Sequence, residues 1–185
     1  MKHKVICGID YSLRSPAICC HIGDKWDYTN CVFHYLTDKK KYTDTFLSRY
    51  FGKSFDDYTT QEERYDSISD WATEICTGSN YVGIENYAYN ATGRVFNIAE
   101  NTGILKYKLY QLGIPIEQIN PSHVKKIAYG KGNATKPMMY DAFYTETKID
   151  LISEMNMISL NNPITDIVDS YYICKILFDI VKEKQ

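Results

Sequence analysis

Two short apolar runs of this chain end abruptly on a carboxylate: Val5-Ile6-Cys7-Gly8-Ile9-Asp10 and Tyr81-Val82-Gly83-Ile84-Glu85. Both have the length and β-branched content of an interior strand. An unpaired carboxylate in such a place costs several kcal/mol or loses its charge. Taken alone, Asp10 reads equally well as a turn cap at a strand end and as a metal ligand. Two further acids, Asp166 and Asp169, stand three residues apart at the start of the last helix, so they share one helical face. Asp166 suits a first turn because the helix dipole favours it there. Asp169 falls on the inward half of an otherwise apolar helix. Four acids aimed at one point repel unless cations hold them, and all-oxygen ligation suits Mg²⁺ or Mn²⁺. Two such ions activate water and stabilise the leaving oxygen in phosphodiester hydrolysis.

Between Glu85 and that helix, the stretch from Pro121 to Lys136 carries Lys125, Lys126, Lys131 and Lys136 and no acid. Gly130 and Gly132 would let backbone amides approach phosphate while the lysines supply counter-charge. The Gly-Lys-Ser/Thr ending of a Walker A loop is missing. On its own the stretch reads better as a solvated basic loop.

The elements that position these residues follow from patterning. After the first strand the chain turns through Tyr11 to Pro16. Strands over Ala17 to Ile22 and Asp27 to Phe33 then make an antiparallel meander of three. Tyr35 to Thr60 interleaves basic and aromatic residues with poor periodicity and is expected to be a loop or insertion with one short helix near Thr45 to Phe51. Such a composition tracks a phosphate backbone and stacks bases, or packs its rings on a sheet edge. Thr60 and Glu63 form a capping box that starts a helix to about Thr77. Thr92 to Leu112 is a long helix with a stripe of Val95, Ile98, Ala99, Thr102, Leu105, Leu109 and Leu112. Its other side carries Phe96, Gly103, Ile104 and Tyr107, more apolar surface than a solvent face needs, which points to a dimer. Ile114 to Ile119 is the next strand, parallel to its neighbour because a helix intervenes. A short helix opens at Pro121, another spans Lys136 to Ile149, Asp150 to Asn162 is irregular, and a last helix runs from Pro163 to about Lys182.

Length and composition bound the rest. At 185 residues the chain is expected to be one domain, 1–185. Its six cysteines show no C-x-x-C spacing and read as reduced core thiols. No apolar run has the length of a membrane span, and the start shows no signal-peptide pattern, so an intracellular, cytoplasmic protein is expected. The formal charge of −2 gives no overall nucleic-acid signature, so any such surface must be local. The Lys, Ile, Asn and Tyr bias points to an AT-rich genome, such as that of a phage or mobile element.

In order along the chain, the signals are G-I-D, I-E followed by an aromatic-bearing loop, P-x-x-V-K…G-x-G-x-A-x-K, and a terminal-helix D-x-x-D. Together they resemble the RuvC family of Holliday junction resolvases, nucleases of the RNase H-like superfamily. The resemblance spans Val5 to about Leu177, and the double-lysine element is its most specific part. It implies an α/β, RNase H-like mixed sheet of five strands, three antiparallel and two parallel, flanked by helices. It implies that Asp10, Glu85, Asp166 and Asp169 are metal-binding catalytic acids, with two Mg²⁺ or Mn²⁺ ions per site. Asp10 would bridge both ions, Glu85 would hold one, and Asp166 with Asp169 the other. Lys125 and Lys136 would act on the scissile phosphate. Tyr87 or Tyr89 would act at the junction centre, and Lys126, Lys131 and Arg14 would contact DNA. The implied activity is cleavage of branched DNA, chiefly four-way junctions, by a homodimer. A non-cleaving junction binder and a nuclease of RNA–DNA hybrids are the rival readings.

Overall fold

The computed structural model describes residues 4–86 and 95–184. Its centre is a mixed sheet of seven strands: β1 (Val5–Asp10), β2 (Ala17–Ile22), β3 (Cys31–Thr37), β4 (Thr45–Phe46), β5 (Tyr50–Ser54), β6 (Tyr81–Glu85) and β7 (Ile116–Ile119). The spatial order is β4-β5-β3-β2-β1-β6-β7. Strands β1, β2 and β3 form the expected antiparallel meander, and β6 and β7 run parallel to β1.

Two strands more than expected come from the segment 35–60. There β5 pairs parallel with β3, and β4 pairs antiparallel with β5. The cause is aromatic stacking, which period-2 patterning does not register. The Tyr50 ring lies 4.5 Å from Phe33 on one side and 4.4 Å from Phe46 on the other, nearly parallel to both. The third strand also starts later than its apolar pattern suggests. Asp27 instead caps a 3₁₀ turn, Tyr28–Asn30, by accepting a hydrogen bond from the Thr29 N–H at 2.7 Å.

Among the described residues, six α-helices flank the sheet: α1 (Gln61–Cys76), α2 (Val95–Gln111), α3 (Pro121–Tyr129), α4 (Lys136–Thr147), α5 (Leu151–Glu154) and α6 (Ile164–Glu183). The Thr60–Glu63 capping box forms as the sequence predicts. The stretch 150–162 is not wholly irregular, because Asp150 caps α5 by accepting from the Ile152 and Ser153 N–H groups. Alternation along β1 sends Ile6 to a core shared with α3, α4 and α6, and Cys7 and Ile9 to a second core shared with α1 and α2. All six cysteines are buried and free. Leu112, placed on the inner stripe of α2 by its spacing, is instead 50% exposed just beyond the helix end. No helix among the described residues is long and apolar enough to cross a membrane.

Helix α6 lies directly on β1. A Cβ at Gly8 would stand 2.5 Å from Cys174 Cα and 2.7 Å from its Cβ, so only glycine permits this approach.

A candidate carboxylate centre at the strand ends

Strands β1 and β6 pair in parallel with Ile9 opposite Ile84, so Asp10 and Glu85 end side by side. Ile9 and Ile84 point to the α1/α2 core, and the two acids one residue on therefore point to the α6 face. Five residues separate Cys174 from Asp169, roughly 7.5 Å of helix. Two residues separate Gly8 from Asp10, roughly 6.6 Å of strand. Because α6 runs against β1 from the Gly8 contact, these nearly equal lengths bring Asp169 over Asp10. Both Asp166 and Asp169 are under a tenth exposed.

The four carboxyls act on one another. Burial, then the charges of Asp169, Asp166 and Glu85, hold Asp10 well above the ordinary carboxylate range, with Lys136 pulling the other way. Glu85 is pushed up to about 7, first by burial and then by Asp169, with Lys136 and Lys125 opposing. Asp166 rises to about 6 through burial. Asp169 is also raised by burial, against the pull of Lys136 and Lys125. Lys136, the first residue of α4, places its ammonium on the Asp169 carboxylate. Its stem is half exposed, so the cation sits where the acid centre opens to solvent.

The donor set fits a hard divalent cation. It is all oxygen, its acids are raised mainly by burial and, for Asp10, Glu85 and Asp166, also by the charge of Asp169, and Asp166 Oδ2 is buried without a hydrogen-bond partner. As the side chains stand, no three His, Cys, Asp or Glu among the described residues group closely enough to hold an ion. Lys136 occupies the Asp169 carboxylate in that arrangement.

The structure thus brings together Asp10, Glu85, Asp166, Asp169, Lys125 and Lys136. Arg14, exposed in the β1–β2 turn, lines with Asp166 and Asn97 a cleft of about 590 Å³. Lys126 and Lys131 are exposed on α3 and the loop after it, and neither contributes to the carboxylate shifts. Tyr87 and Tyr89 lie outside the described residues.

Two neighbours of the centre have no sequence signature. Ser15 is buried, and its side chain lowers the Asp166 pKa. No hydrogen bond of normal geometry forms, since Ser15 Oγ and Asp166 Oδ2 both lack partners. Arg64 on α1 donates from Nη2 to the Leu13 carbonyl at 2.5 Å, which ties down the turn that carries Arg14. Its place in the first turn of a capped helix reads as helix surface, and only the 51-residue contact back to the turn shows otherwise.

No protein-family model matches the chain, and no curated protein matches it in sequence. Solved structures do match in fold. RuvC of Thermus thermophilus aligns with a TM-score of 0.61 at 13% identity, over 97% of this chain and 96% of that one. T. thermophilus RuvC in complex with Holliday junction substrate gives 0.62 at 13% identity, over 93% and 91%. Fowlpox virus resolvase in complex with Holliday junction DNA gives 0.54 at 13% identity, over 96% and 98%. The fold is therefore that of the RuvC-type, RNase H-like resolvases. It agrees with the resemblance carried by the G-I-D, I-E, double-lysine and D-x-x-D signals.

Proposed function

We propose that this chain is a divalent-metal-dependent endonuclease that cuts branched DNA, four-way junctions above all, as a homodimer nicking two opposed strands. The observation that carries the reading is the meeting of Asp10, Glu85 and Asp169 with Lys136, from four separate elements, at the C-terminal ends of β1 and β6. A structural role for so costly a cluster has no support in its surroundings. The acids are not neutralised by an equal number of bases, and one carboxylate oxygen has no partner at all. The junction-bound state of structures with the same fold supports the choice of substrate.

Asp10, Glu85, Asp166 and Asp169 would hold Mg²⁺ or Mn²⁺, which when bound supplies an activated water and charge neutralisation at the leaving oxygen. Asp10, fixed at the end of a buried strand, orients the centre with little freedom to move. Lys136 and Lys125 flank the acids and place positive charge where a phosphate's non-bridging oxygens gain charge in the transition state. Turned from Asp169 to the phosphate, Lys136 would free that carboxylate for a cation. On α2, Phe96, Tyr107 and Tyr110 are 73%, 61% and 75% exposed, and this apolar face supports the homodimer.

Cleavage-site mapping on a mobile four-way junction with Mg²⁺ or Mn²⁺ tests the reading. Symmetric paired nicks are expected. Binding without products would leave a non-cleaving junction protein, and cutting confined to RNA–DNA hybrids would move the substrate class.

A further inference from the structure

One row of paired residues crosses the sheet through the acid centre. Asp10 pairs with Ala17, Ala17 with Tyr35, and Tyr35 with Gly52. At roughly 4.8 Å per strand, Gly52 lies about 14 Å from Asp10 along this row. A 3₁₀ turn, Lys40–Tyr42, is clamped on its far end. Tyr42 is buried in the core on the α6 face, the face to which Asp10 and Glu85 point. The Tyr35 hydroxyl donates to the Tyr42 carbonyl at 2.7 Å. A Cβ at Gly52 would collide with that carbonyl and stand 2.7 Å from the Tyr35 hydroxyl, so the turn sits tight on β5. The Tyr42 N–H donates to the Lys39 carbonyl at 2.8 Å, and the Thr43 hydroxyl donates to the Lys40 carbonyl at 2.8 Å.

This rigid turn presents Lys39, Lys40 and Lys41 in succession, all exposed. The Lys41 ammonium lies 4.6 Å from the Tyr42 ring centroid, and none of the three enters an ion pair with the described residues. Three like charges fixed side by side repel one another, a cost that a polyanion relieves. The backbone order needed to present them is already in place before any ligand arrives. Two clefts that share lining residues lie between Lys39 and Asp166. Lys39 lines a cleft with Arg14, Asn162 and one acid, Asp38, and Arg14 and Asn162 also line the cleft that contains Asp166. On the opposite flank of Asp10, β7 leads into α3 with Lys125. The acid centre therefore lies between two lysine-bearing elements.

We propose that the Lys39–Lys41 turn is a second phosphate-binding element. It holds the sugar–phosphate backbone of a substrate arm about four phosphates from the bond cut beside Asp10, since one strand carries a phosphate per roughly 3.4 Å of axis. The element rests on the nuclease reading and adds an arm contact that the acid centre does not provide.

The test is fluorescence-anisotropy titration of the full chain, in chelator, with a labelled four-way junction and a linear duplex over a range of salt. The variants are Lys39→Ala/Lys40→Ala/Lys41→Ala and, as control, Lys25→Ala. Lys25 is exposed in the β2–β3 connection, at the end of the strands away from Asp10. The triple variant is expected to bind at least about tenfold more weakly at moderate salt, with its log–log salt slope reduced by about three. Its cleavage rate at saturating junction stays at the wild-type value, and Lys25→Ala shifts the slope by less than one. If the triple variant binds with unchanged affinity and slope while the wild type binds and cuts, the second element is overturned and the nuclease reading stands. If the wild-type chain binds neither DNA, the nuclease reading falls and this element with it.

Discussion

Gly8 lies directly beneath Cys174, and this single close approach sets the height of α6 above the central strand. Because Asp10 and Asp169 are nearly equidistant from it, the contact acts as the gauge of the acid centre. Gly8→Ala should therefore lift α6, lowering stability by about 1–3 kcal/mol. It should also depress cleavage more than a loss of folded protein explains. Chemical denaturation alongside cleavage per folded molecule checks both.

Lys136 and Asp169 give a second expectation. Lys136→Ala leaves Asp169 mostly buried beside Asp10 with only the charge of Lys125 opposing its burial. Because the lysine stem is half exposed, the stability cost should be modest, about 1 kcal/mol. The cleavage rate should fall about 100- to 1,000-fold, as when one transition-state donor is removed. Equal losses for Lys136→Arg and Lys136→Ala would show that ammonium geometry, and not charge alone, matters there.

Acid–base linkage gives a third. Burial and Asp169 raise Glu85 to about 7 from its ordinary 4.5. The folded chain thus holds this proton more tightly than the unfolded chain. The stabilisation is fully present below about pH 4.5 and is lost as pH rises through about 7. In chelator, the stability of wild type relative to Glu85→Gln should fall over that window, as measured by melting the two proteins in parallel from pH 4.5 to 8. Saturating Mg²⁺ should flatten the difference.

The exposed face of α2 gives the fourth. Tyr107→Glu/Tyr110→Glu places charge on two side chains that are mostly solvent-exposed in the single chain, so the fold should tolerate it. If the proposed homodimer forms through this face, sedimentation equilibrium should show a dimer for the wild type and a monomer for the variant, and junction products should shift from paired to single nicks.

The acids were legible in the sequence because burial makes an acid conspicuous. Asp10 and Glu85 interrupt β-branched runs, and Asp169 interrupts the apolar half of α6. The double-lysine stretch was legible because four lysines without an acid stand out on a chain of net charge −2. The edge strands were not, since β4 and β5 are held by the stacked rings of Phe33, Tyr50 and Phe46 and not by alternating burial. Ser15 and the Arg64 tie to Leu13 were also beyond the sequence. Both depend on which residues the fold brings together across distance, and neither leaves a local pattern. The row from Asp10 to Gly52 belongs to the same class, because register across β1, β2, β3 and β5 is a property of pairing.

The most direct test of the central claim is one variant on one substrate. Asp10→Asn keeps the size and shape of the side chain and removes the charge on which the centre turns. Assayed on a labelled four-way junction with Mg²⁺ or Mn²⁺, it should bind the junction as the wild type does and yield no cleavage products. A variant that still cut the junction with the wild-type rate and metal dependence would contradict the account.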